Sequence, residues 1–326
     1  MLQMVLVGVG AGAAAALLFA SVASGTALSL FLAHLAPLPI LIAALGWNPL
    51  AGLIAALCAT TTVGAVLGFR TSLGFAIGTA APAWWLGYLA LLARPGGNGA
   101  KERLEWYPAG RLLLWCAFLG SALAAISFMA KFGSDWQTFK TEVRKIAEEI
   151  AHLQAQASRN PDVANRLEST EIIDAFAAAF PGAVAAAATV TNVFTLWLSG
   201  RIVQVSGRLR RPWPDLAMMQ LPPLAPAILA ASLLGVWLPE FAGLIALSLA
   251  ASLIMVFAIL GLAVMHAITR GIASRPLMLA AFYVSVIPLA GMPLLFASLL
   301  GVAESVLHIR ARIAAARPPP PPSSEI

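Results

Sequence analysis

No Asp, Glu, Lys or Arg occurs before Arg70. A water-soluble protein of any fold needs charge on its surface, so an opening of this length without any excludes a soluble N-terminal domain and points to lipid as the solvent. The scarcity runs through the whole chain. Of 326 residues 10% are charged and 60% hydrophobic, and the mean hydropathy is +0.87, whereas soluble domains carry about 25% charged residues. Cysteine is nearly missing too. Cys58 and Cys116 are the two present, each inside an apolar run, which excludes a disulfide framework or a thiolate metal site. The sequence also lacks a phosphate-binding glycine loop, an HExxH pair, metal-ligand spacing of Cys and His, and a nucleophile elbow. No enzymatic activity, metal or cofactor is therefore expected. Carboxylates in mid-span are not apparent, which argues against a pump. The start lacks the basic region of a signal peptide, so it is expected to stay as a span.

What the chain does have is long Ala/Leu-rich apolar runs. They are continuous rather than alternating, which excludes a membrane β-barrel and implies an all-α, polytopic helical membrane protein. Eight to ten transmembrane segments are expected. The stretch Leu35–Phe69 organises the first half: two apolar runs flank a Gly46-Trp47-Asn48-Pro49 break, forming a tight helical hairpin. Leu2–Leu45 is too long for one span and divides near Ser24-Gly25. Pro37 and Pro39 bend the second span; the fourth, Ser72–Ala93, carries Pro82 and then Trp84-Trp85 at mid-span facing the bundle. Later spans are expected over Leu112–Ala130, Phe176–Val205, Leu221–Leu238 and Phe241–Ile268. The region Leu277–Leu307 is interrupted by Pro288 and Pro293 and is too long for one straight span. The pair Glu304 and His308, four residues apart, reads as an interfacial salt bridge, and His266 as a side chain reaching the interface beside Arg270.

Small residues recur every fourth position on two of these helices: Gly8, Gly12, Ala16 and Ala20 on the first, Gly52, Ala56, Thr60 and Gly64 on the third. Such stripes let helix backbones approach closely, either within the chain or against a partner. Hydroxyls of Thr60-Thr61-Thr62 are expected to bond back to their own helix.

The one long polar stretch, Lys131–Asp174, holds eight of the fourteen acidic and six of the twenty basic residues. Ser134 with Gln137 reads as a capping box, and Trp136, Phe139, Val143, Ile146, Ile150 and Leu153 follow at helical spacing, predicting an amphipathic helix that packs on the protein's own helices. Its mixed charge argues against binding to anionic lipid surfaces. The chain thus divides into an N-terminal bundle of five spans (1–131), the insertion (132–175), a C-terminal bundle (176–312) and a proline-rich disordered tail (313–326).

The formal charge of +6 reports orientation rather than nucleic-acid binding. Arg94, Lys101, Arg103, Arg208, Arg210, Arg211, Arg270 and Arg275 fall in loops that alternating spans put on one side, hence cytoplasmic, with the N-terminus inside as well. The basic C-terminal segment would fall outside if the spans number nine.

The LPILIAALGWNPLAGLIAAL hairpin (Leu38–Leu57), the Pro181 entry to the sixth span, Leu260-Gly261-Leu262-Ala263 before His266, and the Leu300-Gly301 to Arg310-Ala311-Arg312 ending resemble the YybS-like family of bacterial integral membrane proteins. The N-terminal half of that family is similar to the substrate-binding S components of energy-coupling-factor transporters. The resemblance implies an inner-membrane protein whose Gly8/Gly12/Ala16/Ala20 and Gly52/Ala56/Thr60/Gly64 faces dock a transmembrane coupling subunit, although S components lack this insertion and the additional C-terminal spans. Two functions follow as expectations. One is a small-molecule binding or transport-related component, its ligand held near Asn48, Trp84 and Trp85 and reached by Asn192. The alternative is a scaffold that binds partner proteins through the small-residue faces and the insertion.

Overall fold

The computed structural model describes residues 1–96, 103–133, 135–158, 160–289 and 291–316. The apolar runs fold as helices, with bounds set by proline and capping residues. Helix α1 (Leu2–Ala20) continues as a 3₁₀ turn to Ser24 and stops at Gly25, whose φ of 65° is left-handed. Thr26 then caps α2 (Ala27–His34), its hydroxyl accepting from the Ser29 amide. The division near Ser24-Gly25 is therefore real. Pro37 opens α3 (Pro37–Gly46), so the proline bend is a break between two helices. Asn48 accepts from the Leu50 amide at 3.0 Å and Pro49 takes the first turn of α4 (Pro49–Leu67), where its missing N–H costs nothing. The fourth expected span is one helical run in three pieces: α5 (Phe69–Phe75), a π turn (Ala76–Ala80) and α6 (Ala81–Ala90). The widened turn sits just before Pro82, which supplies no N–H and crowds the preceding turn.

Strands β1 (Ala93–Gly96) and β2 (Arg103–Trp106) form a short antiparallel ribbon leading to α7 (Ala109–Phe132). Helices α8 (Trp136–Ala157) and α9 (Pro161–Leu167) make up the insertion, and α10 (Thr170–Val205) runs unbroken through Pro181. Then follow α11 (Ala225–Gly235), α12 (Glu240–Ile268), α13 (Arg275–Val286), α14 (Met292–Leu307) and α15 (Ile309–Ala316).

Among the described residues six helices are long and apolar enough to cross a bilayer: Leu2–Ser24, Ala27–Gly46, Pro49–Leu67, Ala109–Phe132, Thr170–Val205 and Glu240–Ile268. The span expected over Leu221–Leu238 shortens to the eleven residues of α11, about 16 Å of helix. Pro222 and Pro223 delay its start, Pro226 takes its first turn, and Pro239 closes the segment. Large apolar side chains such as Leu6, Leu17, Phe31, Leu57 and Val66 are exposed around the bundle, a surface suited to lipid and not to water.

The small-residue stripes are used inside the chain. A Cβ on Gly8 would meet Ile54 and Ala51, one on Gly12 would meet Ala55 and Cys58, and one on Gly52 would meet Ala44. Helices α1 and α4 therefore lie parallel in near backbone contact, and α3 packs on α4. Ala16 and Ala56 are buried, Ala20, Thr60 and Gly64 partly so, and Ser72 donates to the Thr60 carbonyl. The Thr60 and Thr61 hydroxyls bond back to their own helix, as expected.

The insertion differs from its expected pattern in two respects. The cap of α8 is Asp135, whose carboxylate accepts from the Thr138 amide at 2.7 Å; Ser134 lies outside the described residues. The buried seam is Phe139, Val143, Ala147, Ala151 and Ala155, while Leu153 is 58% exposed and Ile146 and Ile150 flank it. Alanines win this face because α8 lies close along α10, where larger side chains would hold it off. Phe139 and Trp136 stack on each other, Trp136 meets Phe241 of α12 edge-on and Phe139 lies tilted against it, with Phe128 at 5.8 Å from Phe139, and Arg144 bridges to Asp174 at 2.8 Å. The expected disordered tail from residue 313 begins instead within α15; residues 317–326 lie outside the described residues.

Candidate functional site

The two halves meet at the end of the bundle where the basic loops gather. Arg211, in the loop after α10, donates to the Ala90 carbonyl at 3.0 Å and the Tyr107 carbonyl at 3.3 Å. It thereby caps the C-terminus of α6, where a cation is favoured, and ties the β-ribbon to the loop. Arg208 lies over the Trp47 ring at 4.4 Å and Arg201 over Trp213 at 5.1 Å. Gly46 abuts Val203, so the turn between α3 and α4 is at this end as well. Because α1 runs parallel to α4, Met1 shares it.

Between these loops lies a cavity of about 660 Å³. Its floor is apolar: Leu113 from α7, Val193 and Leu196 from α10, Ile259 and Leu262 from α12, and Met219. Val193 precedes the end of α10 by twelve residues, so the floor reaches about 18 Å into the span. The charged groups sit at the mouth end: Arg211, Arg270 and Arg275, with His266 and one carboxylate, Asp215. Two of the arginines are incompletely satisfied. The Nε atoms of Arg211 and Arg275 are buried with no hydrogen-bond partner, and each orphaned donor costs on the order of 1–3 kcal/mol. Burial also pulls the Arg211 pKa below the usual arginine value, as expected for a cation withdrawn from water. His266 Nδ1 lies 2.9 Å from the Leu262 carbonyl, so the ring is held by its own helix, in the last turn of α12, while lining the cavity.

None of the four residues expected around a ligand lines this cavity. Asn48 spends its amide oxygen on the cap of α4. Trp84 donates to the Pro49 carbonyl at 3.2 Å and so braces the same turn that Asn48 caps. Trp85 packs edge-on against Trp115 at 5.4 Å within an aromatic cluster that includes Tyr88. Asn192 is on another element, in the buried face of α10 with Thr189, Thr195 and Ser199. Proline, tryptophan and amide at a bend serve the bend itself; the cavity is walled by residues of α7, α10, α12 and the loop after α10, and no local pattern marks that.

A second feature escaped the sequence. Glu304 is 6% exposed and pairs with Arg310, not His308. His308 adopts φ 51°, ψ 49°, which ends α14 and destroys the i,i+4 geometry on which the expected pair depends. The chain turns back, so Arg310 donates its amide to Glu304 at 3.0 Å and its Nε–H at 2.8 Å. A further donor of Arg310 reaches the Met219 carbonyl at 2.6 Å. A Cβ at Gly261 would overlap the Ala297 carbonyl and one at Gly301 the Phe257 carbonyl, so α12 and α14 are antiparallel with 301 level with 257. Extending that register puts Glu304 near the middle of α12, about 21 Å from its far end. A buried ion pair does exist at span depth.

A bundle of long apolar helices, lipid-suited outside and with a cation-rimmed apolar cavity at one end, defines a polytopic α-helical membrane protein. The chain belongs to the family described as "Predicted membrane protein (DUF2232)", which matches residues 13–305. Comparison with curated proteins and with solved structures returned no match.

Proposed function

We propose that this protein binds a small amphiphilic molecule in the cavity between α7, α10 and α12. The observation that carries this is the pairing of a deep apolar floor with arginines whose Nε donors have no partner, a composition typical of sites that fix one end of a largely apolar ligand. A transport-related role is the function class this fits. The surfaces a scaffold would offer, the small-residue stripes and the seam of the insertion, are covered by the chain's own helices, which favours the small-molecule reading. It also means that a coupling subunit, as in the S-component likeness, would have to dock elsewhere than on Gly8 and Gly12. No reaction is assigned.

The setting we propose is a bacterial cytoplasmic membrane with the arginine-rich end and the N-terminus in the cytoplasm, because basic loops are retained on that side. In this setting the six long helices and the Phe69–Ala90 run cross the bilayer, and the segment through α11 carries the chain back to the far side, so that α12 ends beside Arg211; α13 and α14 are shorter than a full span. Native mass spectrometry of the full chain in mild detergent tests the site: the wild type should retain a small amphiphile, and A263W, which places an indole in the cavity, should lose it. Equal retention by both would overturn the proposal.

A further inference from the structure

The lining of the cavity also specifies the charge of its occupant. Arg211, Arg270 and Arg275 stand against a single carboxylate, Asp215, so the mouth is cationic. Two guanidinium Nε–H groups there are buried and lack acceptors. A phosphodiester supplies several strong acceptor oxygens on one small group, and guanidinium forks match their geometry. The remainder of the wall is hydrocarbon from Leu113, Leu196, Ile259 and Leu262, unsuited to a free anion and suited to acyl chains. The wall also continues outward. Trp197, which lines the cavity and is 44% exposed, lies 6.3 Å from the ring of Phe194, which does not line it and is 43% exposed on α10. Apolar surface thus runs from the cavity to the outer flank of a membrane span, the side from which a lipid arrives.

We infer that the cavity takes an anionic phospholipid, its phosphate among Arg211, Arg270 and Arg275 and its chains along α10 and α12. This rests on the amphiphile reading and deepens it. A zwitterionic lipid also carries a phosphate, but its ammonium would enter a mouth that already holds three arginines, and like charges there repel.

The test is lipid titration of the purified full chain, read by native mass spectrometry, with phosphatidylglycerol and phosphatidylcholine of identical acyl chains. Wild type should take phosphatidylglycerol at roughly tenfold lower concentration. R270Q/R275Q should bring the two lipids close to parity. That pair is chosen because Arg211 also ties Ala90 and Tyr107. As a second variant, R211K keeps the charge and removes the fork, and should lower the preference while its melting temperature reports that the fold persists. Equal uptake of both lipids by wild type would overturn the anionic assignment while leaving the amphiphile site standing. A preference unchanged in both variants would also overturn it. Displacement of phosphatidylglycerol by glycerol 3-phosphate alone would replace the lipid by a soluble organic phosphate. Uptake of both lipids by A263W as by wild type would remove the underlying site altogether.

Discussion

Gly261 and Gly301 face each other across α12 and α14 with no side chain between them. Adding one methyl group at either position forces backbone against backbone, and overpacking of this kind costs roughly 1–3 kcal/mol. G261A and G301A should therefore melt several degrees below wild type in detergent, whereas G10A, where a Cβ meets nothing within 4 Å, should not; fluorescence-monitored thermal unfolding reads both. The Glu304–Arg310 pair gives a second residue-scale expectation. Removing one partner leaves a buried charge uncompensated, at a cost of about 3–5 kcal/mol. E304L should be severely destabilised and E304L/R310M largely restored, as judged by the folded fraction on size-exclusion chromatography. If the double variant is as unstable as the single one, the pair does more than neutralise itself. Neither residue announced this in the sequence. Glu304 has a histidine at the favourable i,i+4 spacing, and only the left-handed backbone at His308 cancels that pairing.

At the scale of elements, helix boundaries were readable wherever their cause is local. The turn at Gly46–Pro49 is written in four consecutive residues, an amide cap followed by a proline, and it forms as the spacing implies. Helix α8 starts within a residue of its expected cap. Its seam was misread because the choice between Ile150 and Ala151 as the buried position belongs to α10, which approaches closely and selects the smaller side chain. Asp135 makes the cap sensitive to acid. Hydrogen bonds from Thr138, side chain first and then backbone, hold its pKa below the usual aspartate value. The stabilisation is complete above the unfolded-state pKa of about 3.9 and is lost as pH falls through the lower folded value. Amide exchange in the first turn of α8 should accelerate as pH is lowered through and below 3.9, once corrected for the intrinsic rate. D135N, which keeps an acceptor without the charge, should show no such step.

For the molecule as a whole, composition declares the solvent and little else. The convergence of three basic loops at one end follows from alternating spans, and the structure gathers them together with Met1, so the expectation of a common side has a geometric basis. Cysteines placed at Ser206 and Ser274 should react with a membrane-impermeant maleimide only in inverted vesicles, and one placed at Gln154 only in right-side-out cells. The cavity could not have been foreseen, because its walls come from segments more than a hundred residues apart and each contributes ordinary leucines and isoleucines. The four residues singled out as ligand contacts were conspicuous for a different reason: Asn48 and Trp84 build a turn, and turn-building residues stand out in any apolar run.

Met219 belongs to both the cavity wall and the contact that receives Arg310. The segment that follows His308 is therefore tethered by its guanidinium to the floor of the cavity, and it leads directly into the polar end of the chain. If an occupant displaces Met219, the hold on residues 309–316 changes with it, and limited proteolysis of that segment should then differ in rate with and without phosphatidylglycerol.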